Sequence, residues 1–300
     1  YYFRLGELYA KQQRFWRLKS AELAIQADNQ KTPAAKTKAK QESANAANKA
    51  KDYLLKAVKT YKGLTDNDAF RNYPKMDMAL FYYGYTLQGG KYMKEARAVY
   101  DKLLKNYPNS KYVPEAHLAF ADFFFESNQL DDAKARYEMV LKFPKSSAFQ
   151  YAKYKLGWIH LNKQQFQLAL EAFFEVAQAT KGDKKQEILN RASKKDFVRA
   201  YSEIGKADKA YPAFQRVDGA YAFTMLGILA DHYTEQGKSE KGIYVYQEMM
   251  KLQPQNKNVC LWQYNIAHLT MSMPGGSNAD KVKEIENLEH KSRRPDVLVD

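Results

Sequence analysis

Cysteine is almost missing from these 300 residues: Cys260 is the single thiol, so no disulfide can close within the chain. Its neighbourhood, "VCLWQY", reads as a small core position. No run of about 18 apolar residues occurs either, which excludes a membrane-spanning helix within this chain. Histidine is sparse, and His117, His160, His232, His268 and His290 never fall within four positions of one another. None of them shows a metal-ligand spacing with cysteine or an acidic helix motif, so no metal site is expected. "QGKSEKG" at 236–242 contains the Gly-Lys-Ser tail of a phosphate loop. However, His232 stands where that loop needs glycine, and no strand precedes it, so the segment reads as a turn. The carboxylates are scattered over polar faces, with no pair isolated in an apolar run to act as acid and base. No enzymatic activity and no cofactor are expected. Aromatic residues are absent between Arg17 and Asp52.

What the sequence does contain is repetition. "EARAVYDKLLKNYPNSKYVPEA" at 95–116 returns as "DAKARYEMVLKFPKSSAFQYA" at 132–152. Ala96, Tyr100, Leu103 and Pro108 correspond to Ala133, Tyr137, Val140 and Pro144. A small residue thus precedes a large one by four positions on one helix face, and a proline marks the end. An apolar run stands before each, "MALFYYGYTL" at 78–87 and "AHLAFADFFF" at 116–125, followed by a short polar turn. Each copy is therefore helix, turn, helix. Gly157, Ala169 and Phe173 repeat the offsets that link Gly84 to Ala96 and Tyr100. Weaker copies follow at 197–217, with Tyr201, Ala210 and Phe214, and at 229–254, with Tyr233, Gly242, Tyr246 and Pro254. "LGELYAKQQRFWRL" at 5–18 is a first half-unit, and "YNIAHLTMSM" at 264–273 begins a last one.

One such hairpin cannot bury both apolar faces, so copies must stack. Ala96, Ala133, Ala169 and Ala210 let helices approach, while Tyr100, Tyr137, Phe173 and Phe214 fill the space between them. A chain that is 45% hydrophobic can bury a large core this way. Most of its 23 Tyr and 16 Phe need no functional explanation.

Leu156-Gly157, Ala169 and Phe173, like Gly84, Ala96, Tyr100 and Pro108, resemble the tetratricopeptide repeat, over most of residues 77–254. Ala121 and Ala230 stand in place of the glycine, and unit spacings imply lengthened turns, notably at 178–188. The resemblance implies an all-α, right-handed superhelical solenoid of stacked helix-turn-helix repeats. Its repeats would lie near 77–110, 114–146, 150–183, 191–222 and 223–256, with a partial unit ending at 273. Before them, residues 1–76 would hold a half-unit with an inserted or projecting helical segment at about 19–52. Pro33 is placed to start a helix, and 31–51 is rich in Ala, Lys, Gln and Asn. This stretch reads either as a projecting helix or as partly disordered. After the repeats, 274–300 reads as a loop, a polar helix suited to cap the stack, and a tail. Tyr1 and the abrupt first half-unit point to a fragment or processed chain.

The same resemblance implies a groove lined by the first helix of each unit, which holds a partner segment. It places there Met78, Phe81, Tyr85 and Gln88; Glu115, Leu118, Asp122 and Phe125; Tyr151, Tyr154, Trp158 and Leu161; and Ala192, Lys195, Arg199 and Ser202. Phe81 and Tyr85 occupy positions where chaperone-binding members grip a C-terminal carboxylate with Lys and Asn, so that clamp is absent. The candidate groove residues are Phe81, Tyr85, Phe125, Tyr151, Tyr154, Trp158, Lys195 and Arg199. Aromatics at helical spacing are commonly core, which is the competing reading for Tyr154 and Trp158. If they are instead exposed anchors, replacing both with alanine should weaken binding and leave melting nearly unchanged.

The net charge is +14, but lysines are dispersed along every helix, which reads as a solvated basic face. No RNA-binding signature is present, and no specific nucleic acid is expected. The expected partner is a protein or peptide segment, acidic or amphipathic. The junctions "NYPNSKYVPEAHLAFADFFF" and "KFPKSSAFQYAKYKLGWIHL" resemble those of tetratricopeptide proteins of the Gram-negative cell envelope, such as the TolA-binding coordinator and outer-membrane assembly lipoproteins. That implies a periplasmic adaptor in an envelope or motility complex, with a cytoplasmic scaffold as the alternative. An RNA-binding helical repeat and the non-catalytic arm of a larger enzyme are the competing functions.

Overall fold

A computed structural model describes residues 1–273 and 277–292 and is built from helices alone, with no strand among the described residues. It divides into two compact units, Tyr1–Phe149 and Gln150–Asp300. The first contains α1 (Tyr2–Asp28), α2 (Pro33–Thr65), α3 (Met76–Gly89), α4 (Met93–Asn106), α5 (Val113–Glu126) and α6 (Leu130–Val140). The second contains α7 (Phe149–Asn162), α8 (Phe166–Ala179), α9 (Glu187–Ile204) and α10 (Ala210–Asp218). It continues with α11 (Ala222–Glu235), α12 (Ser239–Leu252), α13 (Val259–Ser272) and α14 (Asn278–Ser292). The chain is an all-α helical-repeat solenoid. The loop and tail expected at 274–276 and 293–300 lie outside the described residues.

Helix ends follow the stop signals in the sequence. Pro108, Pro144 and Pro254 stand just beyond α4, α6 and α12, because proline has no N–H to continue the ladder. Pro33 opens α2 behind Thr32, whose side chain accepts from the Ala35 N–H at 3.4 Å. Within hairpins the turn repeats as well. Lys91, Asn128, Gln164 and Gly237 all have positive φ, and each stands seven residues after Gly84, Ala121, Gly157 or Ala230. The following N–H reaches five residues back: Tyr92 to Leu87 (2.9 Å), Gln129 to Phe124 (2.8 Å), Gln165 to His160 (2.8 Å) and Lys238 to Tyr233 (2.8 Å). This left-handed cap satisfies carbonyls that the helix end would otherwise orphan.

In the first unit the core runs through Tyr61, Leu80, Tyr83, Leu87, Tyr100, Leu103 and Phe120. Gly84 is required there, since a Cβ on it would lie 2.5 Å from the Tyr100 ring. Gly6 of α1 stands in the same relation to Tyr61 of α2, at 2.9 Å. The half-unit at 5–18 is thus completed by the far end of α2, where Ala57 and Tyr61 repeat the small-then-large spacing. The intervening residues lengthen both helices. Ser20 and Ser43 exchange hydroxyl-to-carbonyl hydrogen bonds at 3.0 and 2.9 Å, Lys49 lies 4.2 Å from the Trp16 ring, and Ala27, Ala46 and Ala50 are buried. The alternative left open for 31–51 therefore resolves as helix, paired with α1 through small residues.

In the second unit the core gathers Ala169, Phe173, Val198, Phe214, Leu226, Ala230, Tyr246 and Ile266. The polar helix α14 is tied to α13 by buried Gln263, whose amide donates to Glu284 at 2.6 Å.

Candidate functional site

The first helices of the repeats carry the candidate side chains. On α3, Phe81 is half-buried and Tyr85 is 51% exposed. Phe81 stacks on Tyr112, which precedes α5, with centroids 4.8 Å apart and planes at 13°, and on Tyr85 at 6.3 Å and 28°. Tyr85, Phe81 and Tyr112 therefore form a row of three rings with its solvent end at Tyr85. Tyr112 was not among the sequence candidates, because it sits at a junction and not at a groove position. Burial raises its pKa and that of Tyr82, 6.2 Å away, so both phenols keep their proton. Phe125 is half-buried at the end of α5.

On the second unit, Tyr151, Tyr154 and Trp158 line up along α7, half-buried, and Tyr151 is 6.4 Å from Tyr154. Their partner is a residue the sequence reading did not select. Asp196 of α9, 6% exposed, accepts from the Tyr154 hydroxyl at 2.6 Å and from Trp158 Nε1 at 3.1 Å, both on Oδ2. Both rings also pack on the buried Phe173, at 5.7 and 6.3 Å. Arg199 lies 5.2 Å from the Trp158 ring, while Lys195 is exposed. Burial raises the Asp196 pKa, against the hydrogen bonds and the charges of Arg199 and Lys195, which pull it down. Burial and the bond to Asp196 raise that of Tyr154.

Tyr154 and Trp158 therefore cross-link α7 to α9, and the expectation that removing both leaves melting unchanged is corrected. Their absence would strand a buried carboxylate and hollow the contact with Phe173. Nothing local marks Asp196, which lies among charged neighbours and whose partners are 38 and 42 residues away in sequence. Beside them Lys195 is exposed and Arg199 half-buried.

Among the described residues no group of His, Cys, Asp and Glu could hold a metal ion, and no helix is long and apolar enough to cross a membrane.

Two family models, each described as tetratricopeptide repeat, match residues 78–110 and 118–184. No curated protein matches. Among solved structures, the chain is similar to one in the structure of Naa15/Naa10 bound to HypK-THB, with a TM-score of 0.31 and 9% identity over 93% of this chain. It spans 43% of the length of that chain. The hairpin α3–α4 and the stretch from within α5 to the end of α8 thus carry tetratricopeptide repeats, a repeat type suited to protein interaction.

Proposed function

We propose that this protein is a non-enzymatic interaction scaffold that holds an acidic or amphipathic partner segment against the first helices of its repeats. The row Tyr85–Phe81–Tyr112 carries this reading. Aromatic rings pre-ordered by stacking and open to solvent at one end lose little entropy on binding, and such rings dominate interface energetics. The +14 charge and the exposed cations of both units suit an acidic segment. The resemblance of the junctions at 106–125 and 142–161 to those of periplasmic repeat proteins supports an adaptor in a bacterial cell-envelope complex.

The test is affinity for the partner recovered with the native chain. Tyr85→Ala removes an exposed ring and should raise Kd at least tenfold, since anchor aromatics contribute about 2 kcal/mol or more, with no change in melting. An unchanged Kd would move binding off this row.

A further inference from the structure

Four tyrosines occupy the repeat position of the large buried aromatic on a second helix, and three pass their hydroxyl to the first. Tyr100 donates to Gln88 Oε1 at 3.3 Å, Tyr137 to Asp122 Oδ1 at 2.6 Å, and Tyr246 to Asp231 Oδ1 at 3.3 Å. Tyr61 differs. Its side chain is wholly buried, and its hydroxyl has no hydrogen-bond partner. The corresponding acceptor positions on α1 are Glu7 and Ala10. Ala10 has nothing to offer, and Glu7 is held by Arg4 and, at 3.6 Å, by Lys11. A buried phenol without an acceptor costs its full desolvation, so such a group is rarely left idle.

Tyr61 lines a cavity of about 420 Å³ between α1 and α3. Its walls include Lys11, Gln13, Arg14, Arg17 and Tyr85, with Glu7 as their one carboxylate. Arg17 Nη1 donates to the Gly89 carbonyl at 3.2 Å, whereas Arg14 is exposed and has no ion-pair partner among the described residues. Gln13 is buried to 7% exposure and also faces the cavity. Arg14, Arg17 and Tyr61 thus line one space, and Tyr85, which lines it too, joins it to the aromatic row.

We propose that this cavity takes an internal acidic side chain, glutamate or aspartate, of the partner segment. Arg14 and Arg17 counter its charge, and the Tyr61 hydroxyl donates to it. The assignment rests on the reading that the aromatic row binds a protein segment. Burial, with Glu7 and Tyr82 nearby, raises the Tyr61 pKa, which keeps the phenol protonated and able to donate.

The probes are two blocked tripeptides, acetyl-Leu-Glu-Phe-amide and acetyl-Leu-Gln-Phe-amide, titrated into the whole chain at low ionic strength with inorganic phosphate as competitor. The glutamate form should bind about tenfold tighter than the glutamine form, and Arg14→Gln, at an exposed position, should erase that preference without changing melting. Tyr61→Phe should reduce the preference severalfold. Equal affinity of the two tripeptides, or a preference that survives Arg14→Gln, would overturn the assignment. So would phosphate displacing the glutamate form at comparable concentration, which would indicate a free-anion site. These probes report on the cavity alone, so their failure leaves the aromatic row to be judged by Tyr85→Ala and the whole partner.

Discussion

Removing a single oxygen from Tyr154 separates a structural role of the α7 aromatics from a purely superficial one. In Tyr154→Phe the ring still packs on Phe173, but Asp196 Oδ2 loses its 2.6 Å donor and keeps only Trp158 Nε1 at 3.1 Å. A hydrogen bond to a charged group contributes about 1.5–3 kcal/mol, and Asp196 is too buried for water to replace it. Unfolding of the second unit should therefore be easier by that amount near about pH 8. The pH dependence has a definite sign. Burial raises the folded-state pKa of Asp196, so the folded chain holds an extra proton between the ordinary aspartate value and the raised one. Stability consequently falls as pH climbs through that window. Losing the Tyr154 donor lifts the pKa further and widens the window. The penalty of Tyr154→Phe should thus shrink to about 1 kcal/mol near about pH 3, where the carboxyl is neutral and the lost bond is an ordinary one. Denaturant titrations followed by circular dichroism at both pH values read this directly. A variant as stable as the parent near about pH 8, or one equally destabilised at both ends, would refute the buried-carboxylate cross-link.

Other perturbations test other parts of the fold. His117, buried on α5, has its pKa pushed down to about 4 by burial and by Arg136 and Lys142. Because the unfolded chain takes up that proton first, the first unit should lose about 3 kcal/mol as pH falls from about 6.5 through about 4. A proton-NMR titration of His117 should show the midpoint, and His117→Leu should flatten the stability profile. Tyr137→Phe should cost about 1.5–3 kcal/mol, because its hydroxyl serves Asp122, whereas Tyr61→Phe should be neutral or stabilising; paired melting curves decide this. Gly84→Ala would push a methyl to 2.5 Å from the Tyr100 ring and should cost about 1–3 kcal/mol by denaturation, while a neutral result would misplace the repeat contact.

The repeat was legible because its markers act locally. Ala96, Ala133, Ala169 and Ala210 are all buried, as are Tyr100, Tyr137, Phe173 and Phe214, since small-then-large spacing on a helix face leaves few ways to pack. The left-handed turns at Lys91 and Gln164 were hidden because, of the four positions, only Asn128 and Gly237 carry residue types that favour positive φ. The long α1–α2 hairpin was half legible. The first half of α2 lacks large apolar residues, and its interface with α1 is built from alanines and a serine pair that composition alone reads as solvated. The candidate site was the least legible part. Tyr85 could be read from its repeat position, but Asp196, Tyr112 and the orphaned hydroxyl of Tyr61 depend on contacts distant in sequence.

The central claim is that a partner segment lies along the row Tyr85–Phe81–Tyr112. The most direct measurement places a photo-crosslinking amino acid at position 85 of the full chain in its native cell, with the same group at exposed Lys105 on α4 as control. A segment lying along the row gives one discrete protein adduct at position 85 and none at position 105. Adducts at 105 with none at 85 would contradict it.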